Sequence, residues 1–353
     1  MNLESIEKIA DAVLYEGYML YPYRPSSVKN QQRWNFGVLY PPRFSSEQPD
    51  VDRDSMQTQC LLLSSPSTRV TIKVRFLQIC QRWIGKLRSE AREIPEGEEP
   101  AFDLVDRVEV DGRAHVPWQE AVEREVSINE FGPRPGSIVV LPIFTPKERT
   151  IEYLRDEHGS IPGLIGRDFH ELRGMVEIDS RQCRDGVIKV SVRVANLTES
   201  QAMASHESFN REAVLLDSLV SAHTILGAAD GEFVSLLDPS SGFEDLVDQC
   251  KNVGTWPVLA GDNASSVLSS PIILYDYPQI APESAGNLFD STEIDEILSL
   301  RILTLTDEEK REMRQSDDRT RGILERTENM PEEQFAKLHG VLRGLRVVKE
   351  ETQ

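Results

Sequence analysis

Four cysteines in 353 residues, at 60, 80, 183 and 250, are too few and too scattered for a disulfide framework, and no CxxC pair exists to hold a metal or cycle electrons. They read as small buried hydrophobes in a reducing compartment. Long apolar runs are missing as well. Runs such as Ile138–Leu141 and Ile272–Leu274 fall far short of the roughly 20 residues that cross a bilayer. Since Met1–Asp11 is polar and acidic, neither a signal peptide nor membrane insertion is expected, and a cytoplasmic location follows. Phosphate cradles are absent: the nearest glycine-rich piece, Gly159-Ser-Ile-Pro-Gly163-Leu-Ile-Gly166, lacks a Lys-Ser/Thr and the dinucleotide spacing. No GxSxG elbow, HxH or HExxH occurs, so the six histidines form no standard metal centre and no serine carries a nucleophile signature. A site built from His206, Glu207, Glu212 and His223 would need the fold to bring them together, and surface or hydrogen-bonded histidine is the simpler reading. No cofactor is expected.

Positive charge is also scarce. The net charge is −20, and it is unevenly spread. Residues 1–90 carry 12 Lys/Arg against 9 Asp/Glu, or +3, whereas residues 227–300 carry 1 against 13, or −12. Nucleic acid is thereby excluded as the main partner, because its recognition depends on cationic contacts to phosphate. The acidic stretch suits a solvated surface or a docking face for a basic protein.

What the chain does have is an aromatic and basic opening. Residues 13–44 hold Tyr15, Tyr18, Tyr21, Tyr23, Trp34, Phe36 and Tyr40 together with Arg24, Lys29 and Arg33. Rigid amphipathic rings and planar guanidinium groups are the side chains that anchor interfaces, so Tyr18, Tyr21, Tyr23, Arg24, Arg33 and Trp34 are candidates for binding a protein partner. The same tyrosines could instead fill a core with their hydroxyls hydrogen-bonded, or line a small-ligand pocket. A second constellation is the acidic string Asp276, Glu283, Asp290, Glu293, Asp295 and Glu296. Of these, Asp276, Glu283, Glu293 and Glu296 are weak candidates for a hard cation or acid–base pair, set against helix capping at Asp290–Thr292, which needs no catalytic explanation.

Periodicity organises the rest. Leu3, Ile6, Ile9, Ala10, Val13 and Leu14 predict a short amphipathic helix over 3–16. Strands are expected at Trp34–Tyr40, at Gln57–Ser64 and Arg69–Gln81 as a hairpin about Ser65-Pro-Ser-Thr68, and at Asp106–Val110, Ala121–Ser127 and Ser137–Leu141. Residues 88–101 read as an exposed loop. Residues 170–197 form the clearest hairpin, turning at Arg184-Asp-Gly186, and 218–237 a third, turning at Asp230-Gly231. From Asp290 on, capped helical patterns take over, with Thr306-Asp-Glu-Glu309 a capping box and further helices at Asp318–Glu328 and Pro331–Gly344. The expected class is α+β, a mainly antiparallel β-sandwich followed by a helical C-terminal region. The expected division is 1–254 mainly β with an N-terminal helix, 255–289 an irregular linker, and 290–353 helical.

Two stretches carry a family resemblance: LYEGYMLYPYRPSSVKNQQRWNFGVLYP at 14–41 and SPIILYDYPQIAPESAGNLFDSTEIDEILSLRILTLTDEEKREM at 270–313. Together with VSAHTILGAADGEFVSLLDP at 220–239, they resemble a bacterial family encoded within uptake nickel-iron hydrogenase gene clusters, beside maturation proteases and other accessory proteins. The resemblance implies a non-enzymatic accessory protein that assists assembly, maturation or organisation of the hydrogenase, with a hydrogenase subunit or another accessory protein as partner. It carries over no catalytic or ligand residue. Nickel chaperones usually have histidine tracts or CxxC, and neither occurs, which argues against direct metal delivery. The alternative from another class is a metal-dependent hydrolase using the carboxylates around 276–296.

Overall fold

The computed structural model describes residues 4–16, 21, 23, 36–47, 52–89, 91–95, 97–98, 100–200, 211–279, 288, 295–316 and 318–331. The chain divides into two compact units, Met1–Tyr18 with Gln32–Gln279, and Met19–Gln31 with Ile280–Gln353.

In the first unit the expected opening helix forms as α1, Glu4–Leu14. Its Ile6, Ala10 and Val13, spaced to share one face, pack on Ile225, Ala260 and Leu268. Pro42–Glu47 forms the short helix α2. The strand expected at Trp34–Tyr40 is corrected where it can be seen: residues 36–40 contribute only single bridges from Leu39 to Leu219 and Arg53. Gly37 takes a positive φ of 56° there, which interrupts any ladder.

A single strand, β1 (Ser55–Leu87), then runs for 33 residues. It replaces the hairpin expected at 57–81. The following strands are β2 (Phe102–Val105), β3 (Val108–Val110), β4 (Arg113–His115), β5 (Trp118–Phe131), β6 (Ser137–Thr145), β7 (Glu148–Leu154), β8 (Gly163–Phe169), β9 (Leu172–Arg184) and β10 (Val187–Asn196). The short helix α3 (Arg211–Leu215) leads into β11 (Val220–Phe233), α4 (Glu244–Val247), β12 (Trp256–Leu259) and β13 (Ser266–Ser270). β11 is continuous, so the hairpin expected about Asp230-Gly231 is also corrected. β9 and β10 form the expected hairpin, with Asp179 opposite Ser191.

Both misread turns occupy one place. β1 pairs Ser64 with Gly231 and next Arg69 with Ala229, so four residues of β1 face the single Asp230 of β11. Thr68 closes the bulge, accepting from the Ser65 amide at 2.8 Å and donating its hydroxyl to the Asp230 carbonyl at 2.5 Å. Ser-Pro-Ser-Thr and Asp-Gly therefore serve as a paired irregularity in two long strands rather than as chain reversals.

The main sheet runs β12-β13-β11-β1-β10-β9-β6, with β2, β5 and β8 also on β1 and β7 on β8, every pairing antiparallel. Alternate residues of these strands share one core: Ile72 and Val74 of β1, Val176 and Ile178 of β9, Val190 and Val192 of β10, and Leu226 of β11. This is the α+β, sandwich-like class expected. β12 and β13 lie inside the stretch read as an irregular linker and are paired into the sheet, so 256–270 belongs to the β unit. Five consecutive buried residues in β13 hide the amphipathic alternation that would have marked it.

The opposite face of β1 holds Lys73 and Arg75, which alternation with the buried Ile72 and Val74 would by itself leave in water. Helix α1 covers it instead. Glu7 pairs with Lys73 at 2.6 Å, Asp11 with Arg75 at 2.7 Å, and Glu123 of β5 with Arg75 at 3.2 Å, while the Tyr15 hydroxyl donates to Glu123 at 2.7 Å. Arg75 is buried and paired through Nη2 with two carboxylates, as burial of a guanidinium charge requires.

The second unit contains α5 (Asp295–Leu303), α6 (Asp307–Ser316) and α7 (Asp318–Glu328). The capping box forms as expected: the Thr306 amide donates to Glu309 at 2.9 Å, and the Glu309 amide to the Thr306 hydroxyl at 3.3 Å. Glu328 ties α7 to α6 through Lys310 and Arg314, at 3.3 and 2.7 Å. The helix expected at Pro331–Gly344 and the cap at Ser291/Thr292 lie outside the described residues, apart from Pro331. Among the described residues no helix is long and apolar enough to cross a membrane.

Candidate interaction surface

Residues 271–279 follow β13 and leave the sheet, yet they are firmly held. Asp276 accepts the Leu259 amide on one oxygen at 2.8 Å and the Ser235 hydroxyl on the other at 2.5 Å, and the Tyr277 amide donates to the Leu259 carbonyl at 2.7 Å. Tyr277 sits at φ 57°, a strained backbone for a tyrosine that these bonds fix in place. The result is an anchored platform. Ile273 and Tyr275 stand on it at 73% and 87% exposure, far above the exposure expected of large apolar side chains in a folded chain.

Beside its start lies an open groove of about 500 Å³, lined by residues 36–40, Asp52, Arg53, Arg211, Gly254, Trp256 and Pro271. Gly37 is needed there, because a Cβ at that position would lie 2.6 Å from the Pro271 ring at a φ of +56°. This close approach sets Gly37, from the 14–41 stretch, against Pro271, from the 270–313 stretch. Trp256 is 45% exposed at the groove and Phe36 38%. Deeper in, Tyr40 packs on Phe44 with ring centroids 4.9 Å apart. Burial pushes the Tyr40 hydroxyl above its ordinary range against the opposing pull of Arg211, and burial likewise raises Asp52. Rings, guanidinium groups and a half-buried carboxylate make a surface suited to recognition.

Of the partner-binding candidates, Tyr23 and Tyr21 are placed in the second unit. Tyr23 is fully buried and its hydroxyl donates to the Leu288 carbonyl at 2.8 Å. Tyr21 is half-buried, edge-on to Tyr23 at 6.2 Å, with the Arg301 guanidinium 5.4 Å from its ring centre. Tyr18, Arg24, Arg33 and Trp34 lie outside the described residues. Tyr23→Phe is expected to cost about 1 kcal/mol in chemical unfolding, the worth of one buried hydrogen bond, and Tyr23→Ala about 3–5 kcal/mol. An unchanged unfolding midpoint in both would contradict this core role.

Asp276 serves as the anchor described above. Glu283, Glu293 and the side chain of Glu296 lie outside the described residues. Among the described residues no three His, Cys, Asp or Glu side chains come together as a metal site. Of the histidines read as hydrogen-bonded or surface groups, His158 is exposed and His115 and His223 are buried, while His206 lies outside the described residues. In the sequence the carboxylates of the segment are its most conspicuous feature, and they mask the platform. Its signal was the run of Ile273, Tyr275 and Tyr277 on alternate positions.

No protein-family model and no curated protein sequence matches this chain. The hydrogenase connection therefore rests on the quoted stretches alone.

Proposed function

We propose that this protein is a non-enzymatic cytoplasmic accessory factor that acts through protein–protein contacts in the assembly, maturation or organisation of a nickel-iron hydrogenase. The observation that carries the contact reading is the anchored display of Ile273 and Tyr275 on the Asp276 platform. A large apolar side chain carried on a fixed backbone loses less conformational entropy on docking than one on a loose segment, which makes it a better anchor. The hydrogenase as destination rests on the resemblance of 14–41 and 270–313. The strongly acidic 227–300 stretch surrounding the platform suits a partner with a basic rim.

Affinity purification of the tagged protein from its native host, followed by mass spectrometry, tests both parts. The expected result is recovery of a hydrogenase subunit or a neighbouring accessory protein. Tyr275→Ala and Ile273→Ala should each weaken that complex by about 1–3 kcal/mol without moving the melting temperature. Undiminished recovery in the double variant would reject the platform as the contact, and absence of any hydrogenase component would reject the destination.

A further inference from the structure

Away from the platform, a polar cleft of about 410 Å³ opens where β9 begins, and His170 lines it. Behind the ring stands Asp217, only 2% exposed. Its Oδ1 lies 2.6 Å from His170 Nδ1, and its Oδ2 accepts the Ser200 hydroxyl. A carboxylate oxygen only accepts, so Nδ1 carries a proton, and in the neutral ring this leaves the lone pair on Nε2. The Asp217 backbone is fixed too, its carbonyl accepting from Asn196 Nδ2 at 2.9 Å. A buried carboxylate is costly to maintain, and this one sets both the tautomer and the angle of a single imidazole. Nε2 of His170, in a side chain 32% exposed, has no partner among the described residues.

The charges around the cleft narrow what it could hold. Arg173 is committed to Glu171 at 2.6 Å and lies over the Phe144 ring at 5.5 Å. Lys147 and Glu199 line the same cleft; among the described residues neither has a hydrogen-bond partner, although Glu199 is near enough to Arg173 to act on its charge. Lys147 is exposed and offers a donor, and the exposed Glu199 and His170 Nε2 offer acceptors. One ligand complements all three if it carries both an acid group and an ammonium group.

We propose that this cleft binds a small zwitterion of the amino-acid class, its carboxylate on Lys147 and its ammonium shared between Glu199 and His170 Nε2. Isothermal titration of the full-length protein with each of the twenty free amino acids, and separately with acetate and with methylamine, tests it. At least one amino acid is expected to bind saturably below about 10 mM, and acetate and methylamine at least about tenfold more weakly, since each offers only half of the ligand's charges. Lys147→Met and Glu199→Gln alter exposed side chains and should each weaken binding about tenfold or more with the melting temperature unchanged. The His170 imidazole resonance should move on titration of the wild type. Asp217→Asn, if it folds, should weaken binding by loosening the ring. The proposal is overturned if no amino acid saturates at about 10 mM, if acetate or methylamine binds as tightly as the zwitterion, or if Lys147→Met and Glu199→Gln bind like the wild type.

Discussion

Gly174→Ala is expected to destabilise the β unit by about 2–3 kcal/mol, although it adds a single methyl group. Gly174 lies in β9 with β10 on one side and β6 on the other, opposite Asn196 and Ile143. A Cβ there would meet the Ala195 carbonyl oxygen at 2.6 Å and the Ile143 side chain at 3.3 Å. The carbonyl belongs to the backbone of a paired strand, so relief requires strands to separate, whereas a clash with the end of a long side chain would be absorbed by rotation. Gly132→Ala is the control in the same unit, because its Cβ would meet only Arg69 Nη1 at 3.9 Å. Thermal unfolding should show Gly174→Ala melting well below the wild type and Gly132→Ala within about 0.5 kcal/mol of it. Equal stabilities for the two variants would mean that the β9–β10 spacing is looser than described.

The second large effect comes from pH. His223 of β11 lies opposite Arg75 of β1, beneath α1, and is fully buried. Its Nδ1 donates to the Ser221 carbonyl at 3.0 Å, and among the described residues its Nε2 has no partner. Burial lowers its pKa from 6.5 to about 4; Arg75 adds to the depression, while the Ser221 carbonyl and Glu123 oppose it. The unfolded chain takes up a proton near pH 6.5 and the folded chain does not until about pH 4. Stability from this residue is therefore constant above pH 6.5 and falls with pH between 6.5 and about 4, by about 3 kcal/mol in all. His223→Leu should be somewhat less stable at neutral pH, because the Ser221 carbonyl loses its donor, but should show a flatter decline on acidification. Urea unfolding of both proteins at pH 7 and pH 4.5 measures the difference. Parallel declines would show that His223 accepts its proton in the folded state.

The candidate sites were unequally visible beforehand. Tyr21 and Tyr23 stood out by composition, yet composition cannot distinguish a ring that anchors a partner from one whose hydroxyl meets the Leu288 carbonyl within its own unit. His170 and Asp217 are 47 residues apart, and no local spacing links them. Asp276 was noticed for its charge, but its role follows from Ser235 and Leu259, which only the sheet brings near.

Sequence alone determined what depends on neighbours along the chain. Three-and-four spacing at Ile6, Ala10 and Val13 gives α1, reciprocal bonding across three residues gives the Thr306–Glu309 cap, and alternation about Asp185-Gly186 gives the β9–β10 hairpin. Tertiary structure decided whatever depends on residues far apart. Ser65–Thr68 and Asp230-Gly231 each satisfy the local conditions for a turn, and only their meeting across β1 and β11 makes them a bulge. Likewise the charged face of β1 would be solvated in an isolated strand, and α1 buries Arg75 because Asp11 and Glu123 replace its water. Local pattern fixes the conformation a segment prefers, but the energy that selects among such preferences comes from burial and pairing with distant strands, which no window of neighbouring residues contains.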